Sequence, residues 1–197
     1  MSKTFYDRMP AVGGAMLRAV ASKPGLRDPS EMPALAVQLS GYAVDPAWVA
    51  RYTALTGLPA GQALPATAPQ HVAFPLHMAL LTDRAFPLRV LGAVHVRQLI
   101  EQVRPLRADE RAAIGVRIGD ARQARRGIEL DLITEFDVEG QTIWRGTTTM
   151  LALGAGNPEP AGSASGRSGS KAEDAVPADP AISTIVRLQA DLGRRFA

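Results

Sequence analysis

The chain has 197 residues, 46% of them apolar and 21% charged, with a formal net charge of +3, enough apolar material for a self-supporting core. It has no cysteine, which excludes disulfides, thiolate metal sites and thiol nucleophiles and fits a reducing cytoplasm. Aromatics are only 5% and basic residues are thinly spread, unlike the basic, aromatic-lined face of a nucleic-acid binder, and no apolar run nears the roughly 18 residues of a membrane span.

Residues 1–33 read as an N-terminal extension ending in the turn-rich Lys23-Pro24-Gly25 and Asp28-Pro29-Ser30. Met9 to Leu17 is weakly apolar and Ala19-Val20-Ala21 mimics a signal-cleavage site. Asp7, Pro10 and the paired glycines 13 and 14 nevertheless make a poor signal core. Ala34 to Leu39 reads as a first strand. Asp45-Pro46 then starts a helix, with Asp as cap and Pro at the first helical position. Trp48, Val49, Tyr52 and Leu55 recur at helical spacing until Gly57 closes it.

Leu58 to Gln70, rich in Pro, Gly and Ala, reads as a loop. A helix over about Pro75 to Thr82 follows, apolar nearly all round. The period becomes two at Val94, where Val94, Val96, Gln98 and Ile100 alternate with His95, Arg97, Leu99 and Glu101. A turn at Arg107 to Glu110 leads to alternating Ile114, Val116 and Ile118. After the turn Ala124-Arg125-Arg126-Gly127, Ile128, Leu130, Leu132, Phe136 and Val138 mark one strand face, and Glu129, Asp131, Glu135 and Asp137 the other. Glu139-Gly140 signals a tight hairpin, and Thr142 to Leu153 is the last strand. This meander has an apolar face that must be covered, and the apolar helix is the element to cover it. The fold class is therefore α+β.

Composition changes after Leu153. Residues 154–181 hold one larger aliphatic residue, Val176, and no aromatic, and read as a flexible Gly/Ser/Pro/Ala linker. The 16 residues of 182–197 are too short to fold alone. The expectation is a chain cut shortly after entering a second module.

The segments VDPAWVARYTALTG (44–57), HVAFPLHMALLTD (71–83), VHVRQLIEQVRPL (94–106) and TIWRGTTTML (142–151), in this order, resemble the MaoC-like family of acyl-thioester hydratases and dehydratases. The tail QADLGRRFA resembles the opening of that family's catalytic module. The resemblance implies a hotdog fold over residues 34–153, an antiparallel sheet wrapped around a central helix, and places this chain as the N-terminal module of a double hotdog. Family chemistry uses an Asp and a His five residues apart, usually within Gly-Asp-x-Asn-Pro-x-His. Adding water to an enoyl thioester needs a base for the water and an acid for the α-carbon, plus N–H donors for the enolate-like oxygen.

This chain lacks that dyad. The residues five before His71, His77 and His95 are Ala66, Val72 and Val90, so no catalytic residue carries over. His77 and Asp83, near the central helix, are candidate acyl-pocket residues. At a spacing of six they fall on opposite flanks of a helix, and the plainer reading packs His77 inside and lets Asp83 end the helix. His95 and Arg97 are expected on one strand face, at a ligand mouth, a subunit contact or a solvated surface. Arg122, Arg125 and Arg126 are candidate contacts for coenzyme A phosphates, although turn arginines are commonly just exposed. Thr147, Thr148 and Thr149 suit a strand without further role. No metal-ligand set or nucleotide fingerprint is present, and no cofactor is expected beyond a coenzyme A thioester as substrate or ligand.

Two function classes follow. One is the non-catalytic half of a dehydratase or hydratase for 3-hydroxyacyl and trans-2-enoyl thioesters in fatty-acid-type metabolism, its dyad supplied by a downstream module or another subunit. The other is a non-enzymatic acyl-CoA-binding or accessory dimerisation subunit. A hotdog thioesterase would need a carboxylate near the central helix, and Asp83 is poorly placed for it. Because a lone hotdog sheet leaves edges bare, a homodimer or a heterodimer with a catalytic hotdog module is expected.

Overall fold

The computed structural model describes residues 2–21, 23–58 and 61–156. The first element is a strand, β1 (Ser2–Tyr6), followed by a helix, α1 (Val12–Ala19). The N-terminal extension thus contributes to the sheet. Its strand is exposed along nearly its whole length, so it lacks the apolar alternation by which strands are read. A single 3-10 turn, Pro29–Glu31, has Asp28 as its cap.

Strand β2 (Leu35–Ala43) leads into α2 (Pro46–Thr56). The Asp45 carboxylate accepts from the N–H of Ala47 at 2.9 Å, and Gly57 takes the left-handed conformation at φ 71°, so both helix signals act as expected. Inside α2, Trp48 stacks on Tyr52, ring centroids 5.1 Å apart. Next come α3 (Ala68–Val72) and α4 (Phe74–Leu81). The expected loop therefore ends three residues early, and the central helix has two parts. Pro75 has no N–H to give to a carbonyl one turn back, which breaks the ladder at the junction. Ala73 closes one part on Pro69 and opens the next toward His77.

Four further strands follow among the described residues: β3 (Val94–Gln102), β4 (Arg111–Ala124), β5 (Gly127–Val138) and β6 (Gln141–Leu153). The sheet order is β1-β2-β4-β5-β6-β3. All pairings are antiparallel except that of β1 with β2. The sheet is consequently mixed, with the expected antiparallel sheet as five of its six strands. Glu139 (φ 52°) and Gly140 (φ 80°) form the β5–β6 turn with two positive φ angles, matching strand twist.

Burial alternates along β5, whose inner residues Ile128, Leu130, Leu132, Thr134, Phe136 and Val138 are all buried. They pack with Leu76 and Leu80 of α4 in one core. Phe136 meets Trp144 edge-on at 5.6 Å. The result is the α+β hotdog arrangement, a sheet curled around its central helix. Of the expected linker and second-module start, only 154–156 lie within the described residues.

Candidate functional site

His77 lies on the buried side of α4, where Nε2 stands 2.8 Å from the Thr134 hydroxyl of β5. Both side chains are buried. Burial, then the charges of His71 and His95, push the His77 imidazole down to about 4. At neutral pH it is an uncharged ring fixed to a hydroxyl. Thr134 occupies the gap in the apolar row of β5, between Leu132 and Phe136. That gap was the readable sign of a polar contact.

Asp83 lies past the end of α4. Its carboxylate accepts from the N–H of Ala85 at 2.8 Å, and its carbonyl accepts from Lys23 Nζ at 2.6 Å. It is an exposed turn residue, and no hydrogen bond or ion pair joins it to His77 among the described residues. The two fall apart as their spacing implies. No carboxylate is found among the buried side chains of the described residues.

Arg122 lies on the outer face of the sheet. It donates through Nε to Glu129 at 3.0 Å and through Nη1 to Asp131 at 2.8 Å. Arg97 of β3 stands 3.8 Å from Glu129, and Thr149 donates to Asp131 at 2.6 Å. Burial would raise the Asp131 carboxyl, but hydrogen bonds from Arg122 and Thr149 outweigh it and hold it below the usual range. With its guanidinium neutralised by two carboxylates, Arg122 is poorly disposed to take a phosphate. Arg125 and Arg126 are exposed in the β4–β5 turn and carry no ion pair among the described residues.

A register shift in β3 separates His95 from Arg97, which were expected on one face. His95 pairs with Met150 and Arg97 with Thr149. Those neighbours point to opposite sides of β6, so the bulge turns His95 inward and Arg97 outward. The free edge of β3 carries exposed Val94, Val96 and Leu99, with Val103 just beyond the strand.

Toward that edge the inner face becomes polar. Gln70 of α3 donates through Nε2 to Thr148 Oγ1 at 2.7 Å, and Thr148 donates to Gln98 Oε1, also at 2.7 Å. Gln70 Oε1 is buried and has no hydrogen-bond partner among the described residues. Beside it the Trp144 indole donates to the Ala66 carbonyl at 2.8 Å and covers Gly146, where a Cβ would strike the ring. These residues escaped the sequence reading, being brought together only by strand register. Under the loop after α4, an apolar cavity lined by Leu81, Phe86, Leu88 and Met150 measures about 10 Å³, too small for an acyl chain.

No protein-family model matches the chain. A curated relative, 3-hydroxyacyl-thioester dehydratase X of Mycobacterium tuberculosis, is 36% identical over 137 residues, which cover 69% of this chain and 49% of the relative. The chain thus spans about half the length of the curated relative it matches. Two crystal structures of HtdX from the same organism superpose, one with TM-score 0.62 at 31% identity over 81% of this chain and 60% of the other. The second gives TM-score 0.57 at 36% identity, over 60% and 51%. The C-terminally truncated HadBC (3R-hydroxyacyl-ACP dehydratase) complex of M. tuberculosis shares the fold alone, with TM-score 0.51 at 10% identity over 63% and 99%.

Proposed function

Since this chain belongs to the MaoC-like hotdog family of acyl-thioester dehydratases, we propose that it is the half of such an enzyme that does no chemistry itself. In this reading it pairs along β3 with a catalytic hotdog module that brings the Asp and His. The pair interconverts 3-hydroxyacyl and trans-2-enoyl thioesters of coenzyme A. In hydration, the catalytic module's base takes a proton from water, the hydroxyl adds to the β-carbon, and a proton is delivered to the α-carbon.

One observation carries the reading. The buried histidine of the central helix is bound to Thr134, with no buried carboxylate to act beside it among the described residues. An uncharged imidazole anchored to a core threonine is a packing group. A further observation favours a partner. The exposed edge of β3 carries aliphatic side chains that natural sheets seldom leave uncovered. HadBC is itself a complex, which is in keeping with two hotdogs joined.

The test is hydration of trans-2-butenoyl-CoA, followed by loss of enoyl absorbance, with oligomeric state measured in the same sample. The chain alone is expected to give no turnover, and its association with a catalytic hotdog module to give activity. Turnover by the chain alone would overturn the reading. Binding of acyl-CoA without association with any hotdog module would favour the accessory, non-enzymatic role instead.

A further inference from the structure

The inner row of β3 differs from the rest of the concave face. On β5 that face is apolar except for Thr134. On β3 the register sets His95, Gln98 and Gln102 opposite Met150, Thr148 and Trp144, so three of its inward positions are polar. The strand is one of the two edges of the described sheet, opposite β1, and these side chains line the seam with whatever extends it.

Gln98 is held by a relay that reaches back to the helical layer, whereas His95 bonds only the nearby Arg97 carbonyl of its own strand at 3.0 Å among the described residues. A threonine hydroxyl has a single proton. Thr148 accepts from Gln70 and spends that proton on Gln98 Oε1. The chain of donors therefore runs one way, from α3 to the edge, and fixes which end of the Gln98 carboxamide is which. Its Nε2 is turned from the relay and makes only a long bond of 3.3 Å to the Leu99 carbonyl, leaving one N–H without a partner among the described residues.

The relay has a cost. It leaves Gln70 Oε1 buried without a donor among the described residues, and an aliphatic residue at 70 would fill the same space without stranding an acceptor. An unsatisfied buried group of this kind calls for a functional explanation. Orientation of Gln98 supplies one.

We propose that Gln98 is a substrate-binding residue that donates its Nε2–H to an amide carbonyl of the pantetheine arm, with Gln70 and Thr148 as its positioning residues. The polar row suits the amide-bearing arm of the thioester, since a hydrocarbon chain would gain nothing from it. This assignment rests on the reading that β3 is the edge shared with the catalytic module.

The test uses the chain associated with a catalytic hotdog module, with trans-2-butenoyl-CoA and the S-ethyl thioester of the same acid as substrates. Gln98→Glu keeps an acceptor for Thr148 and removes the N–H, whereas Gln98→Leu removes both. Both variants should raise KM for the CoA thioester about fivefold to tenfold, the worth of one hydrogen bond, with kcat unchanged. The S-ethyl thioester has no amide, so its kinetics should not change. Thr148→Val should show the same pattern at smaller amplitude. An unchanged KM in both Gln98 variants, or an equal rise with both substrates, would overturn the assignment. Light scattering on the same samples separates the two levels. Wild type that fails to associate overturns the shared-edge reading and this assignment with it, while an associated wild type with unaffected variants overturns this assignment alone.

Discussion

Acidification should destabilise this protein well before its carboxylates titrate, through His77. Burial holds this imidazole at about 4, against an ordinary 6.5. Between those values the unfolded chain binds a proton that the folded chain refuses, so stability rises with pH across the window. The stability associated with the neutral ring is fully present above about 6.5, is lost progressively as pH falls, and the loss levels off below about 4. With ~1.4 kcal/mol per pH unit, the loss is about 2 kcal/mol on going from pH 7.5 to 5.0 and about 3 kcal/mol by pH 4. Urea unfolding of wild type and His77→Gln across this range isolates the effect. Glutamine can still bond Thr134 but does not titrate, and the difference between the proteins cancels the other groups. The wild type should lose about 2 kcal/mol more than the variant between pH 7.5 and 5.0. Equal slopes would refute the argument, as would a His77 ring resonance in the folded state titrating near 6.5.

Thr134→Val leaves the buried Nε2 of His77 without a partner and should cost about 1–3 kcal/mol in urea unfolding, whereas Thr134→Ser should restore most of it. A Cβ at Gly146 would strike the Trp144 ring and crowd Gln70, so Gly146→Ala should cost about 1–3 kcal/mol, with a changed tryptophan emission as a second readout. Leu99→Lys at the exposed β3 edge should leave the circular dichroism of the chain intact while weakening its association with a second hotdog module, measured by sedimentation.

The fold was legible where burial is one-sided. The residues of β5 alternate because one face meets α4 and the other meets water, and such a strand shows its role in its spacing alone. The α2 boundaries were equally readable, since Asp45, Pro46 and Gly57 act within one turn of themselves. Strand β1 was not readable. Its residues pair through the backbone with Leu35 to Leu39, and backbone pairing at a sheet edge demands no side-chain pattern. The two-part central helix was half readable. Pro75 is a breaker by sight, but whether the apolar residues before it are helical depends on the sheet they pack against.

The site divides along the same line. His77 and Asp83 were separable by helical geometry, and that separation holds. Arg122 was not, because its partners Glu129 and Asp131 lie across a hairpin whose register slips between Ile118 and Ala121. A one-residue slip reverses which face a side chain occupies, and no local pattern announces it. The bulge that sends His95 and Arg97 to opposite faces is a second case of the same physics. Gln70, Thr148 and Gln98 are separated by as many as 78 residues in sequence and join only once α3, β6 and β3 are in place. What the sequence does show about them is a glutamine and a threonine that no apolar alternation explains, at inward positions of β3 and β6. Thr134 breaks the β5 row in the same way, and it proved to be the partner of His77. Polar residues at inward positions of a strand are therefore the places where such a sequence records a contact that its periodicity alone does not explain, and in this chain they lead from the central helix to the β3 edge.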